Sequence, residues 1–124
     1  LSPTEFARAV IPHGTTAVIA DPHEVGNVAG IPGINWMMEQ GVHTPLRFFW
    51  AAPSCVPASS LDTPGYVLGV KEIETLLDRK TVIGLGEVMN YPGVICGDTS
   101  VHDKIDAAKR RGLAVDGHAP GVTG

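Results

Sequence analysis

Acidic, imidazole and hydroxyl side chains follow each of four short apolar segments of the sequence. Carboxylates and imidazoles that lie close together can transfer protons or bind a divalent metal ion. The residues that precede the same segments are chemically bland by comparison. The four groups are, in chain order, Asp21-Pro22-His23-Glu24, Pro53-Ser54-Cys55, Gly86-Glu87-Val88-Met89-Asn90 and Asp116-Gly117-His118-Ala119-Pro120-Gly121.

The apolar segments have the composition and spacing of parallel strands. Each is rich in β-branched or aromatic residues and nearly continuous in its apolarity, as expected for strands buried on both faces. Their centres lie about 30 to 35 residues apart, which accommodates a strand, a crossover helix and two loops. The predicted strands are Thr15–Ala20, Leu46–Ala51, Val82–Leu85 and Leu113–Val115.

Helical patterns occupy the intervening sequence. Ser2 and Pro3 are a predicted N-cap and first helical residue, and apolar positions follow at helical spacing as far as Gly14. The same spacing predicts helices over Val70–Arg79 and Val101–Arg111. Between residues 25 and 40, three glycines and a proline restrict the predicted helix to Ile34–Gln40.

Alternation of helix and strand predicts an α/β fold with a parallel sheet. Two architectures fit this alternation, an open doubly wound sheet and part of a (β/α)8 barrel, and size alone favours the open sheet. In both architectures, functional residues gather at the carboxyl ends of the strands. Polar groups at all four predicted strand ends favour the barrel, with about four of its strands present.

Glu87 and His118 are a plausible pair of metal ligands at neighbouring strand ends. Glu87 lies in an apolar context, so we expect it to be buried and to need a partner. A structural salt bridge or helix cap would also satisfy Glu87, and His118 could simply occupy a turn. The adjacent Gly86 and Gly117 would allow close backbone approach.

Asp21, His23 and Glu24 form a dense acid–base group in a strand-to-helix loop. One interpretation is that Asp21 or Glu24 caps the helix that follows. The functional interpretation is a pocket wall that binds substrate or shuttles protons.

Several other functional classes lack support. The net charge is −4 and the one basic cluster lies at a predicted helix end, so we expect no nucleic-acid partner. No apolar run reaches about 18 residues, so we expect no membrane partner. Phosphate-binding glycine loops, the zinc nucleobase deaminase pattern and a GxSxG elbow are absent. Two cysteines without a framework pattern indicate reduced thiols in a cytoplasmic protein.

The ordered motifs resemble those of adenine deaminases in the amidohydrolase superfamily. The similarity runs over essentially the whole sequence, and the Asp-Pro-His-Glu and Gly-Glu-Val-Met-Asn segments are its most specific parts. The matching segments are residues 1–7, 13–16, 19–24, 53–58, 84–93 and 115–121.

The resemblance implies a (β/α)8 barrel with a binuclear centre of manganese, iron or zinc. It implies hydrolysis of adenine to hypoxanthine and ammonia, a step of purine metabolism, by a cytoplasmic homo-oligomer. Glu87 and His118 would be metal ligands, while Asp21, His23 and Glu24 would act as catalytic acid–base groups. Ser54 and Asn90 would contact the substrate.

Residues 1–124 are expected to be an internal fragment, about half of the catalytic barrel, without its N- and C-terminal parts. Further ligands are then expected outside the chain, and the fragment alone is expected to be inactive. Two other functions stay open. One is a related amidohydrolase that acts on another cyclic amidine or amide, and the other is a non-catalytic α/β module that binds a small molecule.

Overall fold

A curled sheet of parallel strands is the centre of the fold. The computed structural model describes residues 1–59, 61–121 and 123. Within these ranges the strands pair in chain order, β1-β2-β3-β4, without a reversal of direction. Progressive addition of strands on one side is typical of a barrel, whereas a doubly wound sheet reverses its order. The prediction of an α/β fold with part of a (β/α)8 barrel is therefore confirmed. The strands are β1 (Ala17–Ala20), β2 (Arg47–Pro53), β3 (Val82–Val88) and β4 (Ala114–Gly117).

Helices connect successive strands, and their ends follow local capping rules. Ser2 accepts a hydrogen bond from the backbone N–H of Glu5, and Asp98 accepts one from that of Ser100. The predicted helices of residues 70–79 and 101–111 are confirmed to within two residues at each end. The helices are α1 (Pro3–Val10), α2 (His23–Val42), α3 (Val70–Leu77), α4 (Tyr91–Cys96) and α5 (Thr99–Arg110), and a 3-10 turn covers Ile11–His13.

Helix α2 is much longer than the predicted Ile34–Gln40. It begins at His23 and bends at Gly30, where φ is +59°. The ring of Tyr66 packs against this bend so closely that a Cβ on Gly30 would lie 2.5 Å from it. The restriction to residues 34–40 was wrong because tertiary packing outweighs the low helix propensity of glycine. Pro32 is tolerated since it lies at the start of the segment after the bend.

The core lies between the helices and the outer face of the sheet. In contrast, β1 and β4 are largely exposed, and the side chain of Ile19 is 67% exposed. The expectation that every strand is buried on both faces was wrong for these two, because they are the edges of the sheet. Fully buried core residues include Ile34, Leu46, Val56, Leu68, Ile73, Leu76 and Leu85.

No helix in the described part of the chain is both long enough and apolar enough to cross a membrane.

Leu76, from α3, is 1% exposed and belongs to the core that supports β2 and β3. We expect Leu76→Ala to reduce the stability of the full-length gene product by about 2–5 kcal/mol, since it leaves a cavity. Thermal denaturation monitored by circular dichroism would measure the change. Leu61→Ala is the control, since Leu61 is 93% exposed. Equal melting temperatures for the two variants would contradict the assigned core.

Candidate functional site

The register of β1, β2 and β3 brings Asp21 against Gly86. Ala20 pairs with Trp50, so Asp21 continues beside Ala51. A Cβ on Gly86 would collide with Oδ2 of Asp21 and lie 2.7 Å from the Cβ of Ala51. Gly86 thus leaves the space that the Asp21 carboxylate occupies. The predicted close backbone approach is confirmed at Gly117, where a Cβ would lie 2.8 Å from the carbonyl oxygen of Val88, whereas the close neighbours of Gly86 are side chains.

A bulge in β3 directs Glu87 into the open end of the sheet. Leu85 pairs with Val115, but the next pair is Val88 with Gly117, so two residues of β3 oppose one of β4. Glu87 has a φ of +30°, which is unusual for a residue with a side chain. Such bulges commonly redirect a side chain beside an active site. The expectation that Glu87 is buried was wrong, since its side chain is 34% exposed.

Four side chains meet at the ends of β1, β3 and β4, and we call them the acid–imidazole cluster: Asp21, His23, Glu87 and His118. Nδ1 of His23 lies 3.4 Å from Oδ1 of Asp21 and 3.1 Å from Oε2 of Glu87. The other oxygen of that carboxylate, Oε1, lies 2.7 Å from Nε2 of His118. Glu87 is therefore the central member, with one imidazole on each carboxylate oxygen.

Asp21 is the most enclosed member of the cluster. Within the described residues, neither of its carboxylate oxygens forms a hydrogen bond of good geometry, and neither does Nδ1 of His23. Burial raises the pKa of Asp21 to about 6; the nearby His23 opposes this shift and the Glu87 carboxylate adds to it. Buried polar atoms without partners are rare in folded proteins, and such atoms often bind a water molecule or an ion.

The donor set fits a divalent cation. One atom each from Asp21, His23 and Glu87 lie within 4.8 Å of one another, and mixed carboxylate and imidazole ligands suit manganese, iron and zinc. A cation among them would also provide the partner that the Asp21 oxygens lack. From the sequence, Asp21 and His23 were predicted to be acid–base groups, and Glu87 and His118 were predicted to be metal ligands. The structure brings all four together.

The other predicted site residues lie outside the cluster. Glu24 is exposed on α2 and lines a cleft beside α1, to which Asp21 also contributes. Ser54 is buried, and its hydroxyl donates to the backbone carbonyl of Glu87 at 3.0 Å. Asn90 caps the N-terminus of α4, and its Oδ1 accepts from the N–H of Gly93 at 3.0 Å. Their catalytic and substrate-binding roles stay predictions.

Sequence reasoning missed Lys104, from α5. Its Nζ donates to the backbone carbonyl of Ser54 at 2.8 Å. The sequence contained no distinct signal for this contact, because a lysine on an amphipathic helix is ordinarily a solvated residue.

A cleft of about 580 Å³ opens over the inner face of the sheet beside the cluster. This volume is within the range of small-molecule sites. Its floor is made by the small residues Ala51, Gly84 and Gly86, and Asp21, Glu87 and His118 lie along it.

Comparison with known proteins defines the family. The model of the amidohydrolase family matches residues 1–124, and the chain belongs to this family. Adenine deaminases are similar to it throughout. Those of Methanothrix thermoacetophila and Archaeoglobus fulgidus are each 52% identical, and that of Desulfatibacillum aliphaticivorans is 50% identical. Each match covers 100% of this chain and 22% of the relative, so the chain spans about a fifth of these proteins' length.

Asp21→Asn should stabilise the metal-free protein, because it removes a buried charge that has no hydrogen-bond partner. We expect a gain of about 1–3 kcal/mol, seen as a higher melting temperature without metal. The increase in melting temperature on adding Mn²⁺ should shrink in the same variant. Asp103→Asn, at an exposed position of α5, is the matched control. A lower melting temperature for metal-free Asp21→Asn would mean that the carboxylate already has a stabilising partner.

Proposed function

We propose that the full-length gene product is a metal-dependent adenine deaminase, which hydrolyses adenine to hypoxanthine and ammonia. The observation that carries this proposal is the identity of about one half, over all 124 residues, to proteins described as adenine deaminases. The acid–imidazole cluster lies within the matched region and offers the chemistry that such a reaction needs. The residues form about half of a barrel, and the activity belongs to the whole protein.

Glu87 and His118 would hold the metal, with Asp21 and His23 close enough to share in binding it. A divalent cation lowers the pKa of a bound water towards about 7 and so supplies hydroxide at neutral pH. One catalytic metal takes about three protein ligands, so a binuclear centre would need further ligands from outside this chain. Manganese, iron and zinc all suit these donors.

His23 is the residue best placed to move a proton. Its Nδ1 lies 3.4 Å from a carboxylate oxygen of Asp21 and 3.1 Å from one of Glu87, so it is within reach of both groups for proton transfer. In the reaction, the oxygen of water bonds to the amine-bearing ring carbon and the neighbouring ring nitrogen gains a proton. The carbon–nitrogen bond then breaks, and the amine leaves with a further proton as ammonia. Asp21, His23 and Glu24 are the proposed acid–base groups.

Ser54 and Asn90 are the proposed substrate contacts. Asn90 uses its Oδ1 to cap α4, so its amide Nδ2 is the atom left to donate to a ring nitrogen. The hydroxyl of Ser54 already donates its one proton to the carbonyl of Glu87. In a contact with substrate, its oxygen would therefore act as a hydrogen-bond acceptor. Manganese as the native metal, a homo-oligomeric state, a cytoplasmic location and a place in purine metabolism are further parts of the proposal, and they rest on the sequence resemblance.

Replacing either proposed metal-binding side chain, Glu87 or His118, should weaken metal binding and reduce the hydrolysis of adenine. In the full-length gene product, we expect Glu87→Gln and His118→Ala each to lower kcat/KM for adenine by more than about 100-fold. Mutation of a residue that only supports a metal ligand costs up to about 100-fold in activity, and loss of the ligand itself should cost more. Metal analysis after desalting should find less metal per chain. Glu39→Gln, at an exposed position of α2, is the control. Wild-type activity and metal content in Glu87→Gln would refute the ligand assignment.

The substrate is tested separately from the metal chemistry. Release of ammonia from adenine should exceed release from other cyclic amidines by about 100-fold or more in kcat/KM, because polar groups shaped for one substrate reject analogues that leave them unpaired. A protein that binds metal and hydrolyses another cyclic amidine or amide, but not adenine, would be a different amidohydrolase. A protein that binds adenine without releasing ammonia would be a binding module.

A further inference from the structure

The backbone at Glu87 needs support from outside its own strand. A residue with a side chain rarely adopts a φ of +30°, and such conformations persist only where surrounding contacts fix them. The bulge also interrupts the pairing of β3 with β4 at this point. Strand β4 contacts this region again beyond the bulge, through Gly117 beside Val88 and His118 beside the Glu87 carboxylate, and further support comes from the side of β2.

Ser54 provides the first support. It follows directly after β2 and is 5% exposed. Its hydroxyl donates to the backbone carbonyl of Glu87 at 3.0 Å, and the same oxygen lies 3.3 Å from Sγ of Cys55. A hydroxyl has one proton, and the carbonyl is the shorter contact and the better acceptor. The orientation of the peptide that follows Glu87 is thus tied to the position of Ser54.

Lys104 in turn fixes Ser54. Its Nζ crosses from α5 and donates to the carbonyl of Ser54 at 2.8 Å. No carboxylate lies within 4.0 Å of this ammonium in the described part of the chain. Burial lowers the pKa of Lys104, and the electrostatic effects of Cys55, Asp98 and Glu72 oppose this shift. Since withdrawing an amine from water without an ion pair is unfavourable, the contact indicates a structural role for Lys104 rather than surface solvation.

We propose that Lys104 and Ser54 are positioning residues that hold the backbone of Glu87 in its left-handed conformation and thereby direct its carboxylate into the acid–imidazole cluster. Lys104 touches neither substrate nor metal, and the positioning effect of Ser54 is exerted through the carbonyl of Glu87, apart from the substrate contact proposed for it above. The inference rests on the proposed function, in which Glu87 binds the metal. The inference also extends that function, because a residue of α5, a helix on the outer side of the sheet, would affect the geometry of the metal ligand Glu87.

Metal affinity is the decisive measurement. Titration of the metal-free, full-length gene product with Mn²⁺ should give a Kd about tenfold or more higher for Ser54→Ala and for Lys104→Met, in line with the effect of other outer partners of metal ligands. The visible absorption of the Co²⁺-loaded protein should change as well, because it reports ligand geometry. Lys104→Arg retains a donor and should recover part of the affinity.

Two controls separate positioning from general stability. Lys109→Met alters an exposed lysine of the same helix and should leave the Kd and the cobalt spectrum unchanged. Because Lys104 acts through Ser54, a variant that carries both Ser54→Ala and Lys104→Met should raise the Kd for Mn²⁺ by less than the product of the two single fold-changes. If Ser54→Ala fails to fold, Lys104→Met and Lys104→Arg, which change a partly exposed position, decide the question.

The outcomes also distinguish this inference from the proposed function. If Glu87→Gln weakens Mn²⁺ binding while Ser54→Ala and Lys104→Met lower only the melting temperature, the positioning role is wrong and the ligand assignment stands. If Glu87→Gln itself binds Mn²⁺ as the wild type does, the ligand assignment fails and the inference fails with it.

Discussion

Two carboxylates, those of Asp21 and Glu87, converge beside the same imidazole at the open end of the sheet, and much of the local structure serves to hold them there. One oxygen of each lies within 4.8 Å of the other and of His23. Like charges at this separation repel strongly when they are shielded from water, so the arrangement needs protons or a cation to balance it. The parallel register, the absence of a side chain at Gly86 and the bulge at Glu87 all enforce this proximity.

The sheet positions these groups because its inner face is made of small residues. Ala51, Gly84 and Gly86 leave room above β2 and β3, while larger side chains such as Trp50 and Leu85 belong to the hydrophobic core that includes residues of the helices. Burial on the outer face thus stabilises the fold, and the inner face is left free for chemistry. This separation explains why the acid–imidazole cluster can be strained and poorly satisfied while the core behind it is well packed.

The sequence predicted the strands and most helices because apolar periodicity and capping residues are local signals. It predicted that acidic and imidazole side chains would gather at the strand ends, since parallel strands all direct their carboxyl ends to one edge, but Glu24, Ser54 and Asn90 lie outside the cluster. It did not predict that Asp21 and His23 would join Glu87, because that depends on the register between β1, β2 and β3. The conformation of Glu87 and the contact from Lys104 were also hidden, since a bulge and a contact across 50 residues leave no local pattern. The predicted α2 was too short because the low helix propensity of glycine was given more weight than the packing of this helix.

The bend of α2 at Gly30 has a consequence for how this sequence can change over evolutionary time. The ring of Tyr66 fills the space where any side chain at position 30 would project, and Gly65 lies against the backbone of Val28 in the same way. The segment that carries Tyr66 starts at Ser54, beside Glu87. Positions 30 and 65 should therefore accept little except glycine, because φ at position 30 is +59° and a Cβ at position 65 would lie 2.9 Å from the backbone carbonyl oxygen of Val28. Homologous sequences should keep glycine at both positions, even though none of these residues reaches the acid–imidazole cluster.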